Sequence, residues 1–200
     1  MNFYDYFSLV ALIVIYSTVI GRTIFLHCVG IKPFVLGAGK KGINAFMEIG
    51  FFLGMILIPL EIIKAVFKLD FYLLPRFFFT PLFEADFFPP IGVIAIIFGY
   101  YLFAWGVLSL GKSWRVGIDT KSPGELVTTG AFKMSRNPIF VFMDLYLFGT
   151  FLIYSNLFFL ISVIVLVTGL HLQILYEEAF LKKKYGREYE EYMVKVGRYL

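Results

Sequence analysis

The sequence predicts an all-α integral membrane protein of about five transmembrane helices, closed at one face by a long polar connection and a charged C-terminal tail. Three observations carry that prediction. Of the residues, 60% are hydrophobic and the mean hydropathy is +0.82, whereas a soluble domain is usually less than half apolar. The apolar residues gather in runs of bilayer length. The Lys and Arg residues gather between those runs, so a net charge of +4 reads as membrane topology rather than nucleic-acid binding.

Taken in order, the spans fall near 6–26, 44–66, 91–110, 138–154 and 157–176. The first two are long enough to cross a bilayer with some tilt. Asp5 is the only charge before the first run, and no small-residue cleavage site follows it, which argues against an ordinary signal peptide. Near the end of the second span, Glu61 and Lys64 lie one turn apart and are expected to pair. Residues 69–90 hold Pro75, Pro81, Pro89 and Pro90 among aromatics, which predicts an irregular interfacial connection rather than a sixth span. The fourth span is short and carries Asp144, so it must pack inside the bundle. The whole reads as one membrane domain over 1–200: three spans in 1–110, then the hairpin 138–176 and its tail.

Charge sets the orientation. The connection 22–44 has four basic residues (Arg22, Lys32, Lys40, Lys41). Residues 111–137 have five (Lys112, Arg115, Lys121, Lys133, Arg136), and the tail has six (Lys182, Lys183, Lys184, Arg187, Lys195, Arg198). The connection 64–90 has three, and the turn at 155–156 has none. This places the N-terminus outside and the C-terminus in the cytosol. Cys28 is the sole cysteine and His27 and His171 the only histidines, so neither a disulfide nor a metal cage is expected. Gly37-Ala38-Gly39-Lys40 looks superficially like a phosphate loop but lacks its first glycine and its Ser/Thr, so a basic loop is the better reading.

Polar residues flank the hairpin. Arg136-Asn137-Pro138-Ile139-Phe140 opens the fourth span, and Gln173, Glu177 and Glu178 close the fifth. Each helical arm reaches ~26 Å at ~1.5 Å per residue, so the two groups converge at one membrane face. Gln173 and Glu177 share a helix face, and His171 and Glu178 share the neighbouring stripe. Pro138 suits the first helical turn, which puts Arg136 and Asn137 at a helix N-terminus. The 27 residues from 111 to 137 form a long polar connection, with a turn signal at Ser122-Pro123-Gly124 and extended chain after Leu126-Val127. Taken singly, each residue has a plainer role. Arg136 can snorkel, Asn137 can cap a helix, Glu177-Glu178 can end one in solvent, and Trp114 and Phe132 can anchor an interface. Gln173 and His171 can simply bridge helices, and Asp144 suits helix packing.

In order and spacing, the combination resembles the isoprenylcysteine carboxyl methyltransferase family and its phospholipid methyltransferase relatives. The resemblance rests on Leu126-Val127, Gly130-Ala131-Phe132, Arg136-Asn137-Pro138-Ile139-Phe140 and Glu177-Glu178. It continues in Gly186-Arg187-Glu188-Tyr189-Glu190-Glu191-Tyr192 and Gly197-Arg198, and covers roughly 109–200. It implies S-adenosylmethionine bound on the cytosolic side, with Leu126, Val127, Phe132, Asn137, Pro138, Phe140, Glu177 and Glu178 around it. It also implies catalytic roles for Arg136, Glu177 and Gln173, the last where the prenylcysteine enzymes carry an arginine. Asn137 stands for the family's histidine, and Phe132 and Phe140 for tyrosines. With Gln173 in place of arginine, an anionic carboxylate acceptor loses its partner. The expected acceptor is therefore a lipophilic or lipid-linked small molecule, with a phospholipid amine as the alternative, and the membrane lipids are the other expected partner. A non-catalytic scaffold or lipid-binding protein of the same fold is the rival from another class. No GxGxxG follows a strand, so a Rossmann-type enzyme is excluded.

Overall fold

The computed structural model describes residues 1–32, 43–115 and 124–200, with side chains in the second helix from Ile49 onward. The Gly37–Lys40 loop and the Ser122-Pro123 turn lie outside the described residues. Among those described, the regular elements are helical: α1 (Phe3–Cys28), α2 (Ile43–Phe67), α3 (Phe88–Leu110), α4 (Pro138–Tyr154), α5 (Leu157–Tyr185) and α6 (Arg187–Lys195). Short 3-10 turns occupy Arg76–Phe79, Gly111–Ser113 and Gly130–Lys133. By length and composition α1, α2, α3 and α5 can each cross a membrane, and α4 is a shorter apolar helix of 17 residues. The all-α membrane architecture is as expected.

The termini of these helices follow local chemistry. Asn2 and Asp5 form a reciprocal capping box at the start of α1. α3 begins three residues earlier than expected, because Pro89 and Pro90 fall in its first turn, where a missing N–H costs nothing. The α4–α5 turn is built by Ser155, in the left-handed region, and by Asn156, whose side chain accepts from the Phe159 N–H. α5 is nine residues longer than the expected apolar span, because Glu177–Tyr185 continue the helix beyond it.

α3 and α4 meet through glycine. Gly92, Gly99 and Gly106 recur every seventh residue and face Gly149, Phe142 and Pro138 in turn. A Cβ on Gly92 would sit 2.5 Å from the Gly149 carbonyl oxygen, and one on Gly149 would sit 2.6 Å from the Gly92 oxygen. Small residues at such a crossing let the backbones approach, which drives helix association where water supplies no hydrophobic force. Phe103 and Phe142 then stack across the seam at 4.6 Å.

The connection after α2 docks on the far end of the hairpin. Leu82 N–H donates to Ser155 O at 2.6 Å, Ser155 Oγ donates to Phe83 O at 2.9 Å, and Pro81 bridges Asn156. The expected Glu61–Lys64 ion pair forms and is buried. Phe79 lies 3.6 Å and Tyr72 4.9 Å from Lys64 Nζ, so aromatic faces help hold the ammonium.

Candidate functional site at the open end of the hairpin

The far end of the hairpin is closed by its turn, so chemistry is left to the end where α4 begins and α5 leaves. Gly130 shapes the approach. It has φ +63°, and a Cβ there would lie 2.1 Å from Ser109 Oγ, the atom that accepts from Ala131 N–H. The chain then turns through Gly130–Lys133 and delivers Ser135, Arg136 and Asn137 to the head of α4.

Glu178 is the centre of what they meet. It is 5% exposed. Its Oε1 accepts from Arg136 Nε at 3.1 Å and from Asn137 Nδ2 at 3.3 Å, and its Oε2 accepts from Arg198 Nε at 3.0 Å and Nη2 at 2.8 Å. The tail completes the cluster with backbone. Arg136 N–H donates to Gly197 O at 2.9 Å, Arg136 Nη1 to Met193 O at 3.1 Å, and Asn137 Nδ2 to Arg198 O at 3.1 Å. Asn137 is therefore no side-chain N-cap; its own N–H is taken by Ser135 Oγ at 3.0 Å. One carboxylate between two guanidiniums leaves an excess positive charge. Glu178 in turn raises Arg198, chiefly through their hydrogen bonds.

α6 lays the tail across this cluster. Gly186 turns the chain out of α5 with φ +55°, and Tyr189 and Tyr192, one turn apart, are buried beneath α6. Tyr192 Oη donates to Phe132 O at 2.6 Å, tying the tail to the approach segment. Burial pushes the Tyr192 phenol up to about 12 against the opposing charge of Arg136, and raises Tyr189 further still.

The other expected site residues divide by position. Pro138 is buried in the first turn of α4, and Phe140 is half-buried against the core. Leu126, Val127 and Phe132 are half-buried along the approach segment. Gln173 Nε2 donates to Glu177 Oε1 at 3.1 Å, on the adjoining face of α5. The carboxylate partner of Asn137 is Glu178, and Glu177 lies about 100° round the helix from it. Trp114, read as a possible interface anchor, is buried with Leu26, Phe103, Val107 and Phe142. Arg198, Ser135 and Tyr199 were not singled out from sequence as site residues. The Gly197-Arg198 motif signals the first of them.

Between α1, α2, α4 and α5 lies an apolar cavity of about 140 Å³, lined by residues including Tyr16, Met55, Met143, Tyr146, Leu166 and Leu170. The fold and the cluster define a polytopic helical membrane protein with a buried ion-pair site at one end of a hairpin and an apolar chamber within the bundle. Comparison with known proteins gives the family. The model of the phospholipid methyltransferase family matches residues 87–188, and the chain belongs to that family. Among curated proteins, the probable protein-S-isoprenylcysteine O-methyltransferases of Oryza sativa subsp. indica and subsp. japonica are each 29% identical over 109 residues. Those alignments cover 53% of this chain and 57% of each relative, so the chain spans little more than half the length of the curated relatives it matches. No solved structure matches.

Proposed function

We propose that the chain is an S-adenosylmethionine-dependent integral membrane methyltransferase acting on a lipophilic or lipid-linked small acceptor, in the manner of the isoprenylcysteine carboxyl methyltransferases. The observation that carries this reading is the Arg136–Glu178–Arg198 cluster, set inside the family-matched hairpin.

The residues suit the cofactor's chemistry. The cluster's surplus positive charge suits a carboxylate, and Arg198, with a side chain 34% exposed, is the cation that solvent reaches. Glu177 is a second carboxylate beside it, suited to the cofactor's ammonium. Leu126, Val127 and Phe132 offer apolar surface for an adenine ring. Pro138 and Phe140 pack the floor at the head of α4. When bound, S-adenosylmethionine supplies a methyl group on a sulfonium that is already a good leaving group. The protein's share is then positioning and electrostatics. Glu178 fixes Arg136, Asn137 and Arg198 relative to one another. Gln173, bonded to Glu177, is assigned to the acceptor, since an amide does not clamp a carboxylate as arginine would. The apolar cavity suits an acceptor's hydrocarbon part. We place the open end of the hairpin at the cytosolic face, with the N-terminus outside, because the basic residues concentrate there.

Titration calorimetry of the detergent-solubilised protein with S-adenosylhomocysteine tests the reading, and binding is expected. Heat no greater than dilution at about millimolar ligand removes it. The match to the phospholipid methyltransferase family favours, as a second reading, a phospholipid amine as acceptor. Incubating the protein with total membrane extract and a donor labelled in its methyl group separates the two: label appears in a small lipophile or in phospholipid. Label confined to a base-labile protein ester contradicts both.

A further inference from the structure

Asp144 takes no part in the Glu178 network. It lies on α4 seven residues beyond Asn137, ~10 Å deeper at ~1.5 Å per residue. Its Oδ1 is buried without a hydrogen-bond partner. An ionisable group at such a depth is costly and marks a functional site by default, and an unsatisfied buried acceptor calls for a ligand or a role.

A second polar pair lies on the neighbouring helix and the tail. His171 Nδ1 and Tyr199 Oη share a hydrogen bond of 2.5 Å, with the two rings 15° from parallel. Asp144 acts on Tyr199 through space. After burial, its charge is the largest influence raising the Tyr199 phenol; Glu178 adds to it and Arg198 opposes. Met143 and Leu170, the chain neighbours of Asp144 and His171, line the apolar cavity. Asp144 on α4 and His171 on α5 each lie seven residues further into the hairpin than Asn137 and Glu178 of the ion-pair cluster, and the tail brings Tyr199 to His171.

We propose that Asp144, with the His171–Tyr199 pair, forms the acceptor-head site, taking a group that bears an N–H or O–H and receiving its proton. The proposal rests on the methyltransferase reading above and adds to it a class of acceptor and the residues that meet it. In the transfer, a lone pair on the acceptor nitrogen or oxygen forms the bond to the methyl carbon. The carbon–sulfur bond of the sulfonium donor breaks, and sulfur keeps that electron pair. The acceptor's proton passes to the Asp144 carboxylate. A carboxylate acceptor has no proton to give up and is repelled by Asp144. His171 and Tyr199 are positioning residues: Tyr199 belongs to the same tail segment as Arg198, so the pair couples the acceptor end to the cluster.

The full chain in detergent, saturated with S-adenosylhomocysteine, is titrated with hexylamine by calorimetry. Wild type is expected to bind, Asp144→Asn to bind about tenfold or more weakly, and Asp144→Glu to recover part of the loss. S-adenosylhomocysteine affinity is expected to stay within about twofold in all three, which also reports that each is folded. In the labelled-extract assay Asp144→Asn is expected to lower kcat about 100-fold. Equal hexylamine affinity in wild type and Asp144→Asn overturns the proposal. So does absence of hexylamine binding by wild type, or parallel loss of S-adenosylhomocysteine binding in Asp144→Asn. Failure of wild type to bind S-adenosylhomocysteine removes the underlying methyltransferase reading instead.

Discussion

Glu178 satisfies two guanidiniums and an amide while almost wholly buried, and its neighbour Glu177 bonds to Gln173. The adjacent carboxylates therefore fail differently when changed. Glu178→Ala leaves Arg136 buried without its counter-charge, and removing one partner of a buried pair costs about 3–5 kcal/mol. A large fall in the thermal midpoint, measured in detergent, is the expected result. Glu177→Gln is expected to leave that midpoint unchanged and to weaken S-adenosylhomocysteine binding about tenfold in calorimetry. Equal affinity in wild type and Glu177→Gln would reduce Glu177 to a helix end. Both carboxylates were legible in the sequence as a Glu-Glu pair after an apolar run, and so was the Arg-Asn-Pro opening. Which carboxylate meets Asn137 was not. Adjacent helical residues differ by about 100°, and hydropathy does not say which way α5 is rotated. The Gly197-Arg198 motif marked Arg198, but its contact with Glu178 depends on the tail folding back, which helix periodicity does not encode.

Helix α3 is apolar on all sides, so its sequence announces a buried or membrane helix without saying which stripe meets a partner. The stripe is the glycine row. Gly149→Leu would drive a side chain into the Gly92 carbonyl and Ile96, and overpacking of this kind costs about 1–3 kcal/mol. The expected outcome is a lower thermal midpoint. Weakened S-adenosylhomocysteine binding should accompany it, because α3 also supports Ala131 through Ser109. Gly50→Ala meets no atom within 4 Å and serves as the control. The placing of the spans was readable from run length alone. α3 starts three residues before its apolar run predicts, because Pro89 and Pro90 serve as a first turn rather than as breakers. The irregular course of the 69–87 connection was readable from its prolines. Its docking on Ser155 and Asn156 was not, since that contact joins segments some 70 residues apart.

At the scale of the whole molecule, the tail is held by buried phenols as well as by ion pairs. The folded Tyr192 keeps its proton up to about 12, whereas an unfolded tyrosine releases it near 10.0. Between those values the folded state binds more protons, so the stabilisation is complete below the lower one and is lost as pH rises toward the upper. Phenolate absorbance should accordingly lag behind that of free tyrosine above pH 10.0 and then rise together with release of α6. Ionisation of Tyr192 at the unperturbed value, with α6 still docked, would show that its burial is not what holds the tail. The same tail sets an order of events during synthesis. Gly197 and Arg198 leave the ribosome after all of the apolar helices, so those helices can be inserted before the second cation reaches Glu178. Until then the carboxylate has Arg136 alone. A nascent chain halted before Gly197 would thus carry α1 to α5 while Glu178 still lacked the Arg198 guanidinium and Arg136 N–H the Gly197 carbonyl.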